Sequence, residues 1–149
     1  IHNVLTRHQL HSMLIEGVSY NSDTDFSIFD KITIEHEVYN RPWGFYKTVW
    51  LNEHTQAKIL TVFPESEISL QKHCHRDEHW IIVKGEGQVV CGSDIYIVLP
   101  GDYVHIPRES KHRITNTSTK NRLVISEVQV GTYFGEDDII RYDDKYGRD

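Results

Sequence analysis

Only two cysteines, Cys74 and Cys91, occur in the 149 residues. That is too few for a disulfide framework, so the thiols read as reduced and the compartment as the cytoplasm. No apolar run approaches the roughly 18 residues of a membrane-spanning helix, and no signal-peptide pattern opens the chain. Basic residues are in the minority: 16 Lys+Arg against 22 Asp+Glu give a net charge of -6 with His neutral. A nucleic-acid platform needs a basic stripe to displace counterions, and this balance argues against one. Long internal repeats and low-complexity tracts are also missing. A hydrophobic share of 38% and a charged share of 26% belong to neither a disordered nor a membrane-embedded chain. The length is that of one domain with room for a core. The chain opens on Ile1, which fits a fragment of a longer parent.

What the chain has in plenty is histidine. There are ten, and His73, His75, His79, His105 and His112 crowd its middle. The first forty residues differ from the rest. Thr6–Ile15 reads as a short amphipathic helix with Leu10, Met13 and Leu14 on one side. A polar stretch from Asn21 to Asp25 and an alternating run from Ile28 to Val38 follow it. Residues 1–40 therefore read as an arm or linker packing on a domain at 41–149.

From the Arg41-Pro42-Trp43-Gly44 turn onward, short β-branched and aromatic runs recur. They are Phe45–Leu51, Ala57–Phe63, Ile68–His73, His79–Lys84, Gln88–Cys91, Asp94–Leu99, Tyr103–Ile106, His112–Thr115 and Arg122–Val130. Gly- and Pro-bearing turns separate them and no helix intervenes, which predicts an all-β jelly roll.

The densest polar segment is Gln71–Trp80. Strand alternation puts Gln71, His73 and His75 on one face, with Lys72 and Cys74 on the other. Glu78 shares a face with Trp80, and His79 points the opposite way. If two neighbouring antiparallel strands carry these residues, Gln71, His73 and Glu78 aim at one point, and His112 is the candidate fourth ligand. Two imidazoles, a carboxylate and an amide oxygen suit Zn²⁺ or another divalent first-row ion. A lone histidine is more often a surface residue than a ligand; the clustering is what raises these.

The same residues resemble a family. Glu65, Gln71, His73, Glu78 and Gly85 keep the spacing of the first cupin motif, and Gly101, Pro107, Glu109, His112 and Asn116 that of the second. Glu65 and Glu109 stand where cupins usually carry turn glycines, and Gln71 replaces the usual first histidine. The surrounding words are more specific. Arg-Pro-Trp-Gly at 41–44, Ser-Leu-Gln-Lys-His at 69–73, Arg-Asp-Glu-His-Trp at 76–80, Glu-Val-Gln-Val-Gly at 127–131 and Gly-Glu-Asp-Asp-Ile-Ile-Arg at 135–141 resemble the type II mannose-6-phosphate isomerase domain. The resemblance covers about residues 41–148.

That likeness implies a cupin double-stranded β-helix interconverting mannose 6-phosphate and fructose 6-phosphate, as a homodimer. It implies metal ligands Gln71, His73, Glu78 and His112, with zinc first and Co, Mn or Ni as substitutes. In that family the domain often forms the C-terminal part of an enzyme fronted by a mannose-1-phosphate guanylyltransferase, whose Gly-rich, Lys-bearing opening this chain lacks. An isomerase also needs a base, for which Glu127 and His75 are the candidates. The phosphate needs planar cations, for which Arg76, Arg113 and Arg141 are the candidates. Trp43 and Trp80 are candidate pocket walls, and Asp137-Asp138 either orients Arg141, binds sugar hydroxyls or caps a turn. Competing readings are a non-catalytic sugar-phosphate or sugar-nucleotide binding cupin, a ferrous dioxygenase, a metal-free epimerase and a structural dimerisation domain.

Overall fold

Alternating apolar and polar side chains along short β-branched runs decide the architecture, since each run buries one face and wets the other. The computed structural model describes residues 38–147; the helix expected at Thr6–Ile15 lies outside them. The described residues form eleven strands: β1 Val38–Arg41, β2 Gly44–Leu51, β3 Thr55–Val62, β4 Leu70–Lys72, β5 Arg76–Lys84, β6 Gly87–Cys91, β7 Asp94–Val98, β8 Tyr103–Ile106, β9 His112–Asn116, β10 Leu123–Gly131 and β11 Ile140–Asp143. Six pair in the order β1-β2-β3-β10-β5-β8 and five in the order β11-β4-β9-β6-β7. Every pairing is antiparallel. Leu60, Val62, Ile82 and Ile125 of the first sheet share one core with Val89, Val98 and Ile114 of the second, so the two sheets close on each other as a jelly roll. No helix among the described residues is long and apolar enough to cross a membrane.

All nine expected runs are strands, with shifts at their ends. Two strands were not expected. β1 pairs with β2 across the Pro42-Trp43 turn, so Val38, Tyr39 and Asn40 lie in the sheet. β11 pairs with β4, Arg141 opposite Gln71.

β4 is shorter than the expected Ile68–His73 run, and this changes the face assignment. The Asp138 carboxylate takes the backbone N–H groups of Cys74 and His75, each at 3.0 Å, which would otherwise serve a sheet ladder. Alternation therefore stops at Lys72, and His75 turns outward, away from the face expected for it.

Register places like with like on the inner faces. Leu123 of β10 stands opposite Val62 of β3, and Ile125 stands between Leu60 and Ile82. Two steps on, Glu127 stands between Lys58 and Trp80, and Gln129 between Gln56 and Glu78. One end of the barrel interior is apolar and the other polar. Two turns also demand left-handed backbone, at Glu65 (φ 58°) and Glu109 (φ 63°), the positions at which the motif resemblance leads one to expect glycine.

Candidate functional site

His73 leaves the end of β4, His112 opens β9, and Glu78 lies on β5. β5 belongs to the opposite sheet from β4 and β9. The expectation that neighbouring strands aim these groups is therefore corrected: they converge across the barrel interior, one sheet facing the other. All three side chains are buried, and their candidate donor atoms lie within 4.8 Å of one another.

The tautomers can be read from the partners. His73 Nδ1 lies 2.6 Å from the Asp138 carbonyl oxygen and His112 Nδ1 lies 2.9 Å from that of Ser110. A carbonyl only accepts, so each Nδ1 carries a proton and donates it, which leaves Nε2 as the ligand nitrogen. Those nitrogens stand 2.9 Å (His73) and 3.6 Å (His112) from Glu78 Oε1. Two lone-pair atoms at such distances need a proton or a cation between them. A tetrahedral ion with bonds of ~2.0–2.1 Å separates its donors by about 3.3 Å, between the two distances. Glu78 Oε2 and His112 Nε2 are buried without a hydrogen-bond partner, a costly arrangement that a bound ion relieves. Burial pushes the Glu78 carboxyl up, but the neighbouring His73 and His112 rings outweigh it and hold it well below the usual range. The residues present fit a divalent cation.

Glu127 is buried on the same inner surface. Its Oε2 accepts from Trp80 Nε1 at 2.9 Å and its Oε1 from Gln129 Nε2 at 2.7 Å. Burial above all, then the Glu78 charge, push its carboxyl up to about 8, against the opposing pull of Lys58 and Arg76. A carboxyl poised near neutrality in a cavity can take and return a proton.

The structure brings most of the expected residues together. Gln71, His73, Arg76, Glu78, His112, Glu127 and Arg141 line one cavity of about 70 Å³, walled by Trp43 and Trp80. A single water needs only ~10–15 Å³, so there is room for more than one. Gln71 spends its amide nitrogen on Ser69, 3.2 Å from the carbonyl and 3.1 Å from the hydroxyl, and has its amide oxygen left as a donor atom. Arg76 is buried beside the donor set, Nη2 at 3.4 Å from His73 Nε2.

Two expected residues lie elsewhere. His75 has a side chain 58% exposed and rests on Asp138. Arg113 spans strands instead, donating to the Ile68 carbonyl and to Asp143. Asp138 takes the turn role among those expected for it, fixing the His73–His75 turn through its carbonyl and its carboxylate together. Sequence reasoning missed Arg41, Tyr46, Lys58 and Glu136, which also line the cavity. For Lys58 there was a signal: it shares its inward parity on β3 with Leu60 and Val62.

The chain is similar to known proteins in sequence and in fold. The family described as "Mannose-6-phosphate isomerase C-terminal" matches residues 29–144. The alginate biosynthesis protein AlgA of Pseudomonas aeruginosa is 47% identical over 112 residues, 75% of this chain and 23% of that protein. A mannose-1-phosphate guanylyltransferase of Salmonella montevideo is 43% identical over 129 residues, 81% of this chain and 27% of that protein. The chain thus spans about a quarter of the length of these curated relatives. An RmlC-like cupin from Shewanella frigidimarina superposes with a TM-score of 0.60 at 15% identity, covering 69% of this chain and 88% of that one; at that identity the likeness establishes the fold, a cupin double-stranded β-helix. By sequence, the chain belongs to the mannose-6-phosphate isomerase C-terminal family.

Proposed function

We propose that this chain is a metal-dependent aldose–ketose isomerase interconverting mannose 6-phosphate and fructose 6-phosphate, feeding mannose into GDP-mannose and polysaccharide synthesis. One observation carries the reading: a buried carboxyl, Glu127, shares a cavity with a His–Glu–His donor set. Isomerisation needs both, a proton carrier for C1 and C2 and a sink for the charge that develops on their oxygens.

His73, Glu78 and His112, with the Gln71 amide oxygen as a fourth donor, would hold the cation. Zn²⁺ suits the set, and Co²⁺, Mn²⁺ or Ni²⁺ can replace it. When bound, such an ion draws charge from the sugar oxygens. The chain's own residues do the rest. Glu127 carries the proton between C2 and C1, and Trp80 Nε1 and Gln129 Nε2 each hold one of its oxygens so that the carboxyl keeps its aim through the transfer. Arg76 and Arg141 offer the anionic substrate planar donors from the cavity wall. Glu127 is the better base, because His75 stands outside the cavity lining. Arg113 is a strand brace in this reading. The protein would work in the cytoplasm as a homodimer, fused to or beside a guanylyltransferase, which the far greater length of its relatives supports.

Dialysis against a chelator should abolish fructose 6-phosphate formation, and added Zn²⁺, Co²⁺ or Mn²⁺ should restore it. Full turnover by protein shown to be metal-free by elemental analysis would sink the mechanism. Sugar-phosphate affinity without turnover in the loaded protein would make the chain a binding module instead.

A further inference from the structure

An inward-facing lysine is expensive, because its ammonium gives up water and must be compensated by an anion. Lys58 holds such a position at the polar end of the barrel, 5% exposed, on the cavity wall. Its Nζ lies 2.6 Å from Glu136 Oε1 and 4.2 Å from the centroid of the Tyr46 ring. The Arg41 guanidinium packs on the same ring at 5.2 Å and lines the same cavity.

The two ends of the Lys58–Glu136 pair are not alike. Glu136 stands on the loop after β10, its side chain 40% exposed against 5% for Lys58. The carboxylate reaches water from its loop, whereas the ammonium is buried on the cavity wall. Glu127, opposite Lys58 in the ladder, is not equivalent to Glu136: both its oxygens already accept hydrogen bonds from Trp80 and Gln129.

We propose that Glu136 holds the place of the ligand's anionic group: a phosphate monoester enters by displacing the Glu136 carboxylate from Lys58, and Arg41 completes the site. The inference rests on the sugar-phosphate reading and deepens it. It adds Lys58 and Arg41 to the phosphate's partners and gives the chain an internal competitor for that place. No bond is made or broken; one charge-assisted contact replaces another.

The test uses opposite signs. Inorganic phosphate is titrated into the wild-type chain, Lys58→Met and Glu136→Gln at matched metal content. Lys58→Met should weaken phosphate binding about tenfold or more, the size of one charge-assisted contact, and Glu136→Gln should tighten it by about threefold to tenfold. The KM for mannose 6-phosphate should move the same way, with kcat changing less. If Glu136 merely braces the loop, Glu136→Gln leaves phosphate binding unchanged or weaker, and either result overturns the proposal. So does unchanged binding in a folded Lys58→Met protein; if that variant does not fold, the sign of Glu136→Gln decides alone. The isomerase reading fails separately. Tighter phosphate binding in Glu136→Gln, with no turnover by the wild type, keeps the exchange site and loses the reaction. Wild-type turnover with no effect of Glu136→Gln does the reverse.

Discussion

The two ends of the barrel interior are built from the same three strands and do opposite things. At one end β3, β10 and β5 present Val62 with Leu123, then Leu60, Ile125 and Ile82; at the other they present Lys58, Glu127 and Trp80, then Gln56, Gln129 and Glu78. Burial does not distinguish them: Leu123, Ile125, Gln56 and Gln129 are all fully buried. Each large aliphatic at the first end contributes about 1.5–3 kcal/mol by leaving water. The second end gains nothing from burial unless its polar atoms are paired. A chain of hydrogen bonds does that, from Gln56 Nε2 to Gln129 Oε1 at 2.6 Å, then from Gln129 Nε2 to Glu127 Oε1 at 2.7 Å. It stops short at Glu78 Oε2 and His112 Nε2. One end stabilises the fold, and the other spends some of that stability holding polar groups ready for a ligand.

Substitutions at adjacent inner positions of β10 should separate these roles. The largest effect is expected for Glu127→Gln, which keeps the shape and removes the proton carrier. Turnover should fall by about 10²–10⁴-fold, with metal content unchanged in the folded protein. Ile125→Ala, two residues away, should do the converse. It should cost about 2–5 kcal/mol of folding stability, as large-to-small core changes do, while the molecules still folded keep their metal and their turnover per site. An active Glu127→Gln enzyme, or an Ile125→Ala protein that loses metal while folded, would break the distinction between the ends.

A smaller effect should appear with pH. In chelator-treated protein the Glu127 carboxyl sits at about 8, against an ordinary 4.5, chiefly because it is buried. Between those values the folded chain keeps a proton that the unfolded chain has released, so the group's contribution to stability falls as pH rises from 4.5 to 8. Glu127→Gln should remove that slope. Melting curves of the two proteins across pH 5–8 that run parallel would mean that Glu127 ionises normally.

Much of the fold was legible because strand alternation is a local property. The nine runs needed only their own sequence to be recognised. β11 was missed because Ile140–Asp143 is short and Asp-rich upstream, and its strand character comes from pairing with β4, which is remote in sequence. The donor residues were legible as a motif, but not the fact that they face each other from opposite sheets, since sheet membership is decided by long-range pairing. His75 was placed on the wrong face because Asp138, more than sixty residues on, ends the strand before it. Lys58 went unread because a lysine in a strand is expected in water; only its parity with Leu60 and Val62 pointed inward.

The smallest effect should come from the two turns that flank the contrasting ends. Glu65 follows Val62 at the apolar end. Glu109 follows Ile106, which stands opposite Glu78 at the polar end, and its N–H donates to the His73 carbonyl at 2.8 Å. Both are exposed and both have positive φ, 58° and 63°. Left-handed backbone costs an L-residue ~1–2 kcal/mol, and glycine escapes that cost but loses more chain entropy on folding, ~0.5–1 kcal/mol. Glu65→Gly and Glu109→Gly should therefore each stabilise by about 0.5–1 kcal/mol in denaturant titration. Equal gains would mean that the backbone angle alone sets the effect, because the backbone N–H to His73 survives the exchange. A gain at Glu65 but a loss at Glu109, accompanied by weaker metal binding, would mean that stiffness of the second turn helps to hold His73, and that the polar end draws on its loops for rigidity where the apolar end relies on packing.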